Sequence, residues 1–286
     1  MVAINQIENN QIINSKHKQP VGFYTVLLAT IRKDLTIWKR YKANLLSGLV
    51  SMIVMALVFG LFANVSEFRG LGLTKNQQFI FFMVGIILTV FTNSSMWAPI
   101  NTVQNDMYNG TLEYIHSTGG SKWAYFLGTS IADGIIRMIY FLPLTAILLY
   151  YSNTAFYFLG YALLIMSLSI IAFLSIGVVF ASLAILYKQI GALTGIIATA
   201  LQFFAGAYIP LIALPRGFQY AALLFPHTYV FDLTRYYTMN GNWPTLFPVW
   251  LEWILFACYF IIILLGTKVL LRKVEGKAEE AGLHLI

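Results

Sequence analysis

Six long apolar segments organise the chain: Asn44 to Ala63, Phe79 to Ile100, Phe126 to Tyr151, Ala155 to Leu186, Ile190 to Ile209 and Val249 to Leu271. Each reaches the roughly 20 residues that an α-helix, rising about 1.5 Å per residue, needs to cross a hydrocarbon core of about 30 Å. A transmembrane β-barrel would need segments of roughly 10 residues alternating apolar and polar, whereas these runs are apolar on both parities. The pattern predicts an all-α, polytopic membrane protein with six transmembrane helices. Ahead of the first span, Tyr24, Leu27, Leu28, Ile31, Leu35 and Trp38 fall within roughly 100° of a helical wheel, and Arg32, Lys33, Lys39 and Arg40 occupy the other side. That is the pattern of an N-terminal amphipathic interface helix, its apolar face in the acyl boundary and its cations among anionic headgroups. Such a helix serves either as an anchor for the first span or as a docking platform for a partner.

The connection from Pro210 to Pro248 is too long for a turn and too apolar for a solvated loop. Leu223, Leu224, Phe225, Tyr229, Val230, Phe231 and Leu233 would be costly in water, yet Pro210, Pro215 and Pro226 cut the segment into pieces too short to cross. Two short helices dipping into the outer leaflet are expected at about residues 210–240, as a re-entrant outer pair before the last span. Irregular backbone at that depth persists only where protein or a cavity satisfies its polar groups, so the pair should cap or line something. The expected organisation is a flexible cytoplasmic tail at 1–23, the interface helix at 24–43, a six-helix membrane domain at 44–271 and a cytoplasmic tail at 272–286.

Charge sets the orientation. With six spans the termini share a side, and thirteen of the 18 Lys and Arg flank spans on that side, against Arg69, Lys75, Arg216 and Arg235 on the other and Arg137 within a span. Basic flanks are retained in the cytoplasm, so both termini are expected there and the protein in the cell membrane. Composition agrees: 59% of the 286 residues are hydrophobic and 10% charged, against about 25% charged in soluble domains, which excludes an ordinary soluble enzyme. The net charge of +7 sits in the polar ends rather than in a stripe, so nucleic acid is not an expected partner. The first twenty residues contain no apolar run of signal-peptide length, and Cys258, the one cysteine, admits no intramolecular disulfide.

Enzymatic motifs are missing from the sequence. The nearest approach to a phosphate-cradling loop, Gly119-Gly120-Ser121-Lys122, lacks the spacing and the preceding strand, so the chain is not expected to bind ATP itself. His17, His116, His227 and His284 are scattered, which argues against a metal, and no G-x-S-x-G elbow occurs. Asp133 and Arg137 are the ionised pair within a span. Four residues apart, they share a helix face and can pair, either as a polar element of a transport pathway or as a clasp that fixes helix packing. Glu252, near the outer end of the last span, is expected to be wet.

Two longer strings are the most specific. Gly110-Thr111-Leu112-Glu113-Tyr114-Ile115-His116-Ser117-Thr118-Gly119-Gly120-Ser121-Lys122-Trp123, running on to Leu127-Gly128, lies between the second and third spans. After the fifth stand Phe204-Ala205-Gly206-Ala207-Tyr208-Ile209-Pro210, then Leu214-Pro215, then Phe225-Pro226-His227-Thr228-Tyr229 with Asp232 and Arg235. With the interface helix and six spans, these strings closely resemble the membrane subunits of ATP-binding-cassette exporters of the type-2 permease family, over nearly the whole chain. Two positions depart from the usual pattern: Gly119 replaces a common proline and Thr129 a frequent lysine.

The resemblance implies a coupling helix at about residues 106–122, where Gly110, Leu112, Glu113, Tyr114 and Ile115 meet a cytoplasmic ATPase subunit, with Glu113 as the anchoring charge. It implies that Gly206, Pro210, Pro215, Pro226, Tyr229, Asp232 and Arg235 build the outer cap; Asp232 and Arg235, three apart on a short helix, can pair, and Arg32, Lys33, Trp38 and Arg40 belong to the interface helix read from the amphipathic pattern. It implies partner ATPase subunits carrying ATP and magnesium, a second permease subunit, membrane lipids, and no cofactor in this chain. The implied activity is export of an amphipathic drug, lipid or lipid-linked glycan by alternating access; Phe81, Phe82, Phe91, Trp97 and Phe204 either form an apolar, stacking-capable wall for such a cargo or face lipid. An ion-coupled carrier using Asp133 and Arg137, or a membrane-embedded lipid-modifying enzyme, are the alternatives.

Overall fold

A computed structural model of the chain describes residues 22–65, 72–111, 120–187 and 191–280. The string Leu112 to Gly119, with Glu113, Tyr114 and Ile115, lies outside the described residues. Among the described residues the fold is wholly helical: α1 (Phe23–Arg40), α2 (Lys42–Val65), α3 (Lys75–Tyr108), α4 (Lys122–Ser152), α5 (Phe156–Tyr187), α6 (Gly191–Phe204), α7 (Arg216–Ala222), α8 (Pro226–Thr238) and α9 (Val249–Glu280), with a 3-10 turn at Leu211–Ala213.

Four of these helices, α2, α3, α5 and α9, are long and apolar enough to cross a membrane. A fifth span follows if α4 counts as one helix, although its Trp123–Ile139 and Phe141–Ser152 halves are bent by 56°. Pro143 explains the bend: it lacks the N–H that would bond to the carbonyl one turn earlier, and its ring crowds that carbonyl. The fifth apolar segment departs from expectation. It was expected to run to Ile209, but α6 has 14 residues and stops at Phe204, a rise of roughly 21 Å that falls short of a hydrocarbon core.

The break has a local cause. Gly206 sits at φ 69°, where a side chain is disfavoured, and the amides of Gly206 and Ala207 turn back to the carbonyls of Phe203 and Gln202. The same closure ends α3: Gly110 at φ 67° bonds to Met107 and Thr111 to Asp106. At its other end α3 opens with a capping box, in which Thr74 accepts from the Gln77 amide and its own amide donates to the Gln77 side chain.

α3 is the central column. Of its apolar span 78% is buried, against 6% for α2, and it packs on α5, α4, α2 and α8. The main core lies between α3, α5 and α8, around Phe81, Ile86, Ile165 and Phe231. α1 lies against α4, and the approach is close: a Cβ on Gly128 would stand 2.8 Å from Cβ of Thr30. The expected re-entrant region holds two short helices, α7 and α8. α8 is nearly all buried, packed against α5, α9 and α3.

Candidate functional site

At the end of the bundle that carries α1, one carboxylate joins four pieces of chain. Asp106 lies in the last turn of α3 and is buried. Lys33 of α1 donates to its Oδ2 at 2.8 Å, the Tyr125 hydroxyl of α4 donates to the same oxygen at 2.6 Å, and the Thr111 hydroxyl donates to Oδ1 at 3.0 Å. Lys33 also faces the Tyr125 ring at 5.5 Å and reaches Asp34 at 3.6 Å. The Gly110 closure places Thr111, which leads directly into the Leu112–Gly119 string, within reach of Asp106. Burial lifts the Asp34 carboxyl above the ordinary carboxylate range; Lys33 opposes the shift and the charge of Asp106 adds to it.

This cluster corrects one expectation. Lys33 was grouped with Arg32 and Arg40 on the headgroup-facing side of α1, but its ammonium turns inward to Asp106, while Arg32 and Arg40 remain exposed. Trp38 is half-buried and packs against the main core. Neither Asp106 nor Tyr125 stood out in the sequence; the available signal was an acid one turn from the C-terminus of a long apolar helix, where the helix dipole disfavours it and a cation is needed nearby.

Deeper along α4, Asp133 accepts from the Ser94 hydroxyl of α3 and pairs with Arg137 at 3.4 Å. The pair forms as the four-residue spacing suggested, and Ser94 makes it a tie between α3 and α4.

At the opposite end, α8 carries the densest polar network. Arg235 is 1% exposed. Its guanidinium donates to the carbonyls of Gly206 at 2.8 Å, Ala207 at 3.0 Å and Phe81 at 3.5 Å, and lies 3.7 Å over the Phe81 ring. The expected ion pair between Asp232 and Arg235 is absent among the described residues. Arg235 instead satisfies carbonyls at the broken end of α6, which approaches so closely that a Cβ on Gly85 would lie 2.4 Å from the Ala207 oxygen. Asp232 accepts from the Trp243 indole at 2.5 Å and the Leu246 amide at 2.9 Å. Glu252, expected to be wet, is fully buried and accepts from the Phe247 amide at 3.2 Å, because the 243–248 connection folds over it.

The other cap residues occupy local roles. Pro210 and Pro215 precede the 3-10 turn and α7, Pro226 is the first residue of α8, and the Tyr229 hydroxyl donates to the Leu223 carbonyl at 2.9 Å. Within the expected aromatic wall Phe81 meets Phe82 edge to face at 5.3 Å, while Phe91 and Phe204 take partners outside it. Phe81 lies under Arg235, Phe91 packs on Phe141 at 4.8 Å, and Phe204 stacks on Phe225 at 5.1 Å. His227 is buried, with its ring centroid 3.8 Å from that of Phe173. Among the described residues no three His, Cys, Asp or Glu side chains gather as metal ligands do.

Residues 24–239 match the family model described as ABC-2 type transporter. The chain is also similar to Nodulation protein J from Rhizobium leguminosarum bv. viciae, 26% identical over 259 residues that cover 86% of this chain and 93% of that protein.

Proposed function

From the premise that the chain belongs to the ABC-2 type transporter family, a membrane transport component, we propose that it is the transmembrane subunit of an ATP-driven exporter. A separate cytoplasmic ATP-binding-cassette ATPase supplies the work, and the cargo is an amphipathic drug, lipid or lipid-linked glycan. In this reading α1 lies on the cytoplasmic surface, both termini are cytoplasmic, and six apolar helices including the short α6 and the bent α4 form the membrane domain. Alongside a second permease subunit it forms a conduit that the α7–α8 region caps on the outer side.

The observation that carries the reading is the Asp106 cluster. An ATPase that pushes on the Leu112–Gly119 string reaches, through Thr111 and Asp106, the interface helix at Lys33 and α4 at Tyr125 within one hydrogen-bonded unit. Nucleotide state then shifts the spans by its differential affinity for their two arrangements. The Asp133–Arg137 pair is held to α3 by the Ser94 hydroxyl, a tie between two helices that favours a clasp over an ion-coupled pathway.

The test is to purify the chain with the products of its neighbouring genes, among which the reading expects a cassette ATPase, and to reconstitute the two together. Co-elution and ATP-dependent export are expected, and Glu113→Ala should weaken co-elution while leaving the permease inserted. Cargo movement that persists in vesicles without the ATPase would overturn the reading in favour of a carrier.

A further inference from the structure

Two acids meet at the α8 end without a cation between them. Asp232 of α8 accepts from the Leu246 amide at 2.9 Å, and Glu252 in the first turn of α9 accepts from the next amide, that of Phe247, at 3.2 Å. Consecutive amides therefore hold the two carboxyls side by side, as hydrogen-bonding neighbours. Both are buried, Glu252 completely, and its second oxygen, Oε2, meets no donor among the described residues. Arg235 attracts Asp232 but spends its guanidinium on the Gly206 and Ala207 carbonyls, and among the described residues no Lys or Arg forms an ion pair with either acid. Nor does a third acid, His or Cys join them there, so a divalent metal would find too few ligands.

The remaining titratable groups on the elements packed here are engaged elsewhere. Tyr229 of α8 and Tyr259 of α9 both donate to the Leu223 carbonyl, Tyr237 accepts from the Trp253 indole, and Tyr161 of α5 bonds to Tyr157. Tyr236 lies against Gly241, His227 against Phe173, and Cys258 is exposed. α3 from Asn76 to Asn105 and the whole of α6 carry no titratable side chain, and Lys75 lines the groove beside α2. Like charges in dry contact cannot both persist, so the pair must retain a proton. We propose that Asp232 and Glu252 form a proton-binding site, in which one shared proton latches α8 and the 243–248 connection to the first turn of α9. With the proton in place one carboxyl donates to the other, and the Leu246 and Phe247 amides meet the oxygens left over. Without it two buried anions face each other, and their repulsion pushes the connection away and admits water. Trp243, which donates to Asp232 and stacks on Phe81 at 5.4 Å, carries that release toward Arg235 and the broken end of α6. The site stands apart from the exporter reading, which supplies only its placement on the outer side, where the proton reports external pH to the cap.

The experiment uses the full chain in nanodiscs and needs neither cargo nor ATPase. Infrared spectra at neutral pH should contain the carbonyl stretch of a protonated carboxyl that Glu252→Gln removes, because the new amide donates to Asp232 permanently while its oxygen still accepts from Phe247. Raising the pH should erase that band in the parent. After correction for the intrinsic rate, it should also speed exchange of the Leu246 and Phe247 amides about tenfold while those of α3 hold. The folded pair keeps a proton that the unfolded chain has already released, so the parent should lose about 3 °C of melting temperature relative to Glu252→Gln over the same rise in pH. A band that survives Glu252→Gln, or parallel melting profiles, overturns the site. A parent melting temperature that follows sodium at constant ionic strength does so as well, by assigning a metal cation in place of the proton. Should Glu252→Gln fail to assemble, alkaline exchange in the parent decides: Leu246 and Phe247 amides that keep pace with α3 overturn the latch. A complex in which band and melting behave as expected but ATP drives no export keeps the proton site and removes the exporter reading instead.

Discussion

If Asp106 ties α1 to the end of α3, then Asp106 and Lys33 should be energetically coupled in a double-mutant cycle. Asp106→Asn keeps the shape but removes the anionic acceptor shared by Lys33, Tyr125 and Thr111, so the two hydroxyl bonds become neutral and the Lys33 ammonium loses its counter-charge. Charged hydrogen bonds are worth about 1.5–3 kcal/mol and neutral ones about 1, so the loss should be about 2 kcal/mol. Lys33→Met removes one partner and leaves Asp106 held by Tyr125 and Thr111; because the Lys33 side chain is 32% exposed, solvent screening limits this loss to about 1 kcal/mol. The double substitution should cost about 2 rather than 3 kcal/mol, a coupling of about 1 kcal/mol. The readout is amide hydrogen exchange along Phe23–Arg40 in nanodiscs, which reports the opening of α1 directly. A loss of about 2 kcal/mol corresponds to roughly thirtyfold faster exchange in the Asp106→Asn protein. Strictly additive effects, or faster exchange spread equally over α5 and α9, would refute the view of Asp106 as a tie specific to α1.

Arg235→Lys should destabilise by about 2–4 kcal/mol, since an ammonium cannot reach the carbonyls of Gly206 and Ala207 together while covering Phe81; a melting temperature within a degree of the parent would count against the guanidinium as the cap of the broken α6. Asp133→Ala should lower thermal stability more than Asp133→Ala with Arg137→Ala, by about 1 kcal/mol given that the Arg137 side chain is 37% exposed. A double variant that melts like the parent yet no longer exports cargo would move the pair from clasp to pathway. Asp34→Asn should stabilise the protein at neutral pH. Folding raises the pKa of this acid, so its charged form costs stability above the folded pKa, and the cost disappears below the unfolded value of 3.8. The melting difference between variant and parent should accordingly shrink as pH falls toward 4, and a constant difference would show that Asp34 acts through shape alone.

What was legible in the sequence follows from what is local. Apolar runs, the amphipathic face of α1 and the prolines that break the 210–226 stretch all act within a few residues, and the helices fall where those signals lie. The exception among local features is α6, where the apolar run continues to Ile209 but the Gly206 turn ends the helix at Phe204. What was not legible is where polar side chains find partners across the fold. Asp106 meets Lys33 at a separation of 73 residues and Tyr125 at 19, so no window along the chain contains the cluster. Spacing suggested Asp232 for Arg235, but the break in α6 leaves carbonyls that need a donor, and Arg235 is the side chain within reach. Glu252 reads as a wet helix-end acid until the 243–248 connection brings its backbone amides over it.

The two polar ends of the bundle differ in a way that bears on motion. At the α8 end the ties are buried and run to backbone carbonyls and amides, which cannot be exchanged for water without exposing unpaired groups. At the α1 end the central tie includes an ammonium that is one-third exposed, so it can be remade with solvent at modest cost. The bend at Tyr140 separates the part of α4 that carries Tyr125 and Asp133 from the part leading to the α4–α5 turn, which Thr154 and Asn240 fasten to the end of α8. A load delivered beside Thr111 therefore meets a unit of α1, the end of α3 and the first half of α4 that is joined within itself, and a far end that resists. Under the exporter reading, the compliant joint is that bend rather than either network, and replacing Pro143 with Ala should stiffen it and slow cargo release without loosening ATPase docking. A Pro143→Ala protein that exports at the parental rate would place the joint elsewhere.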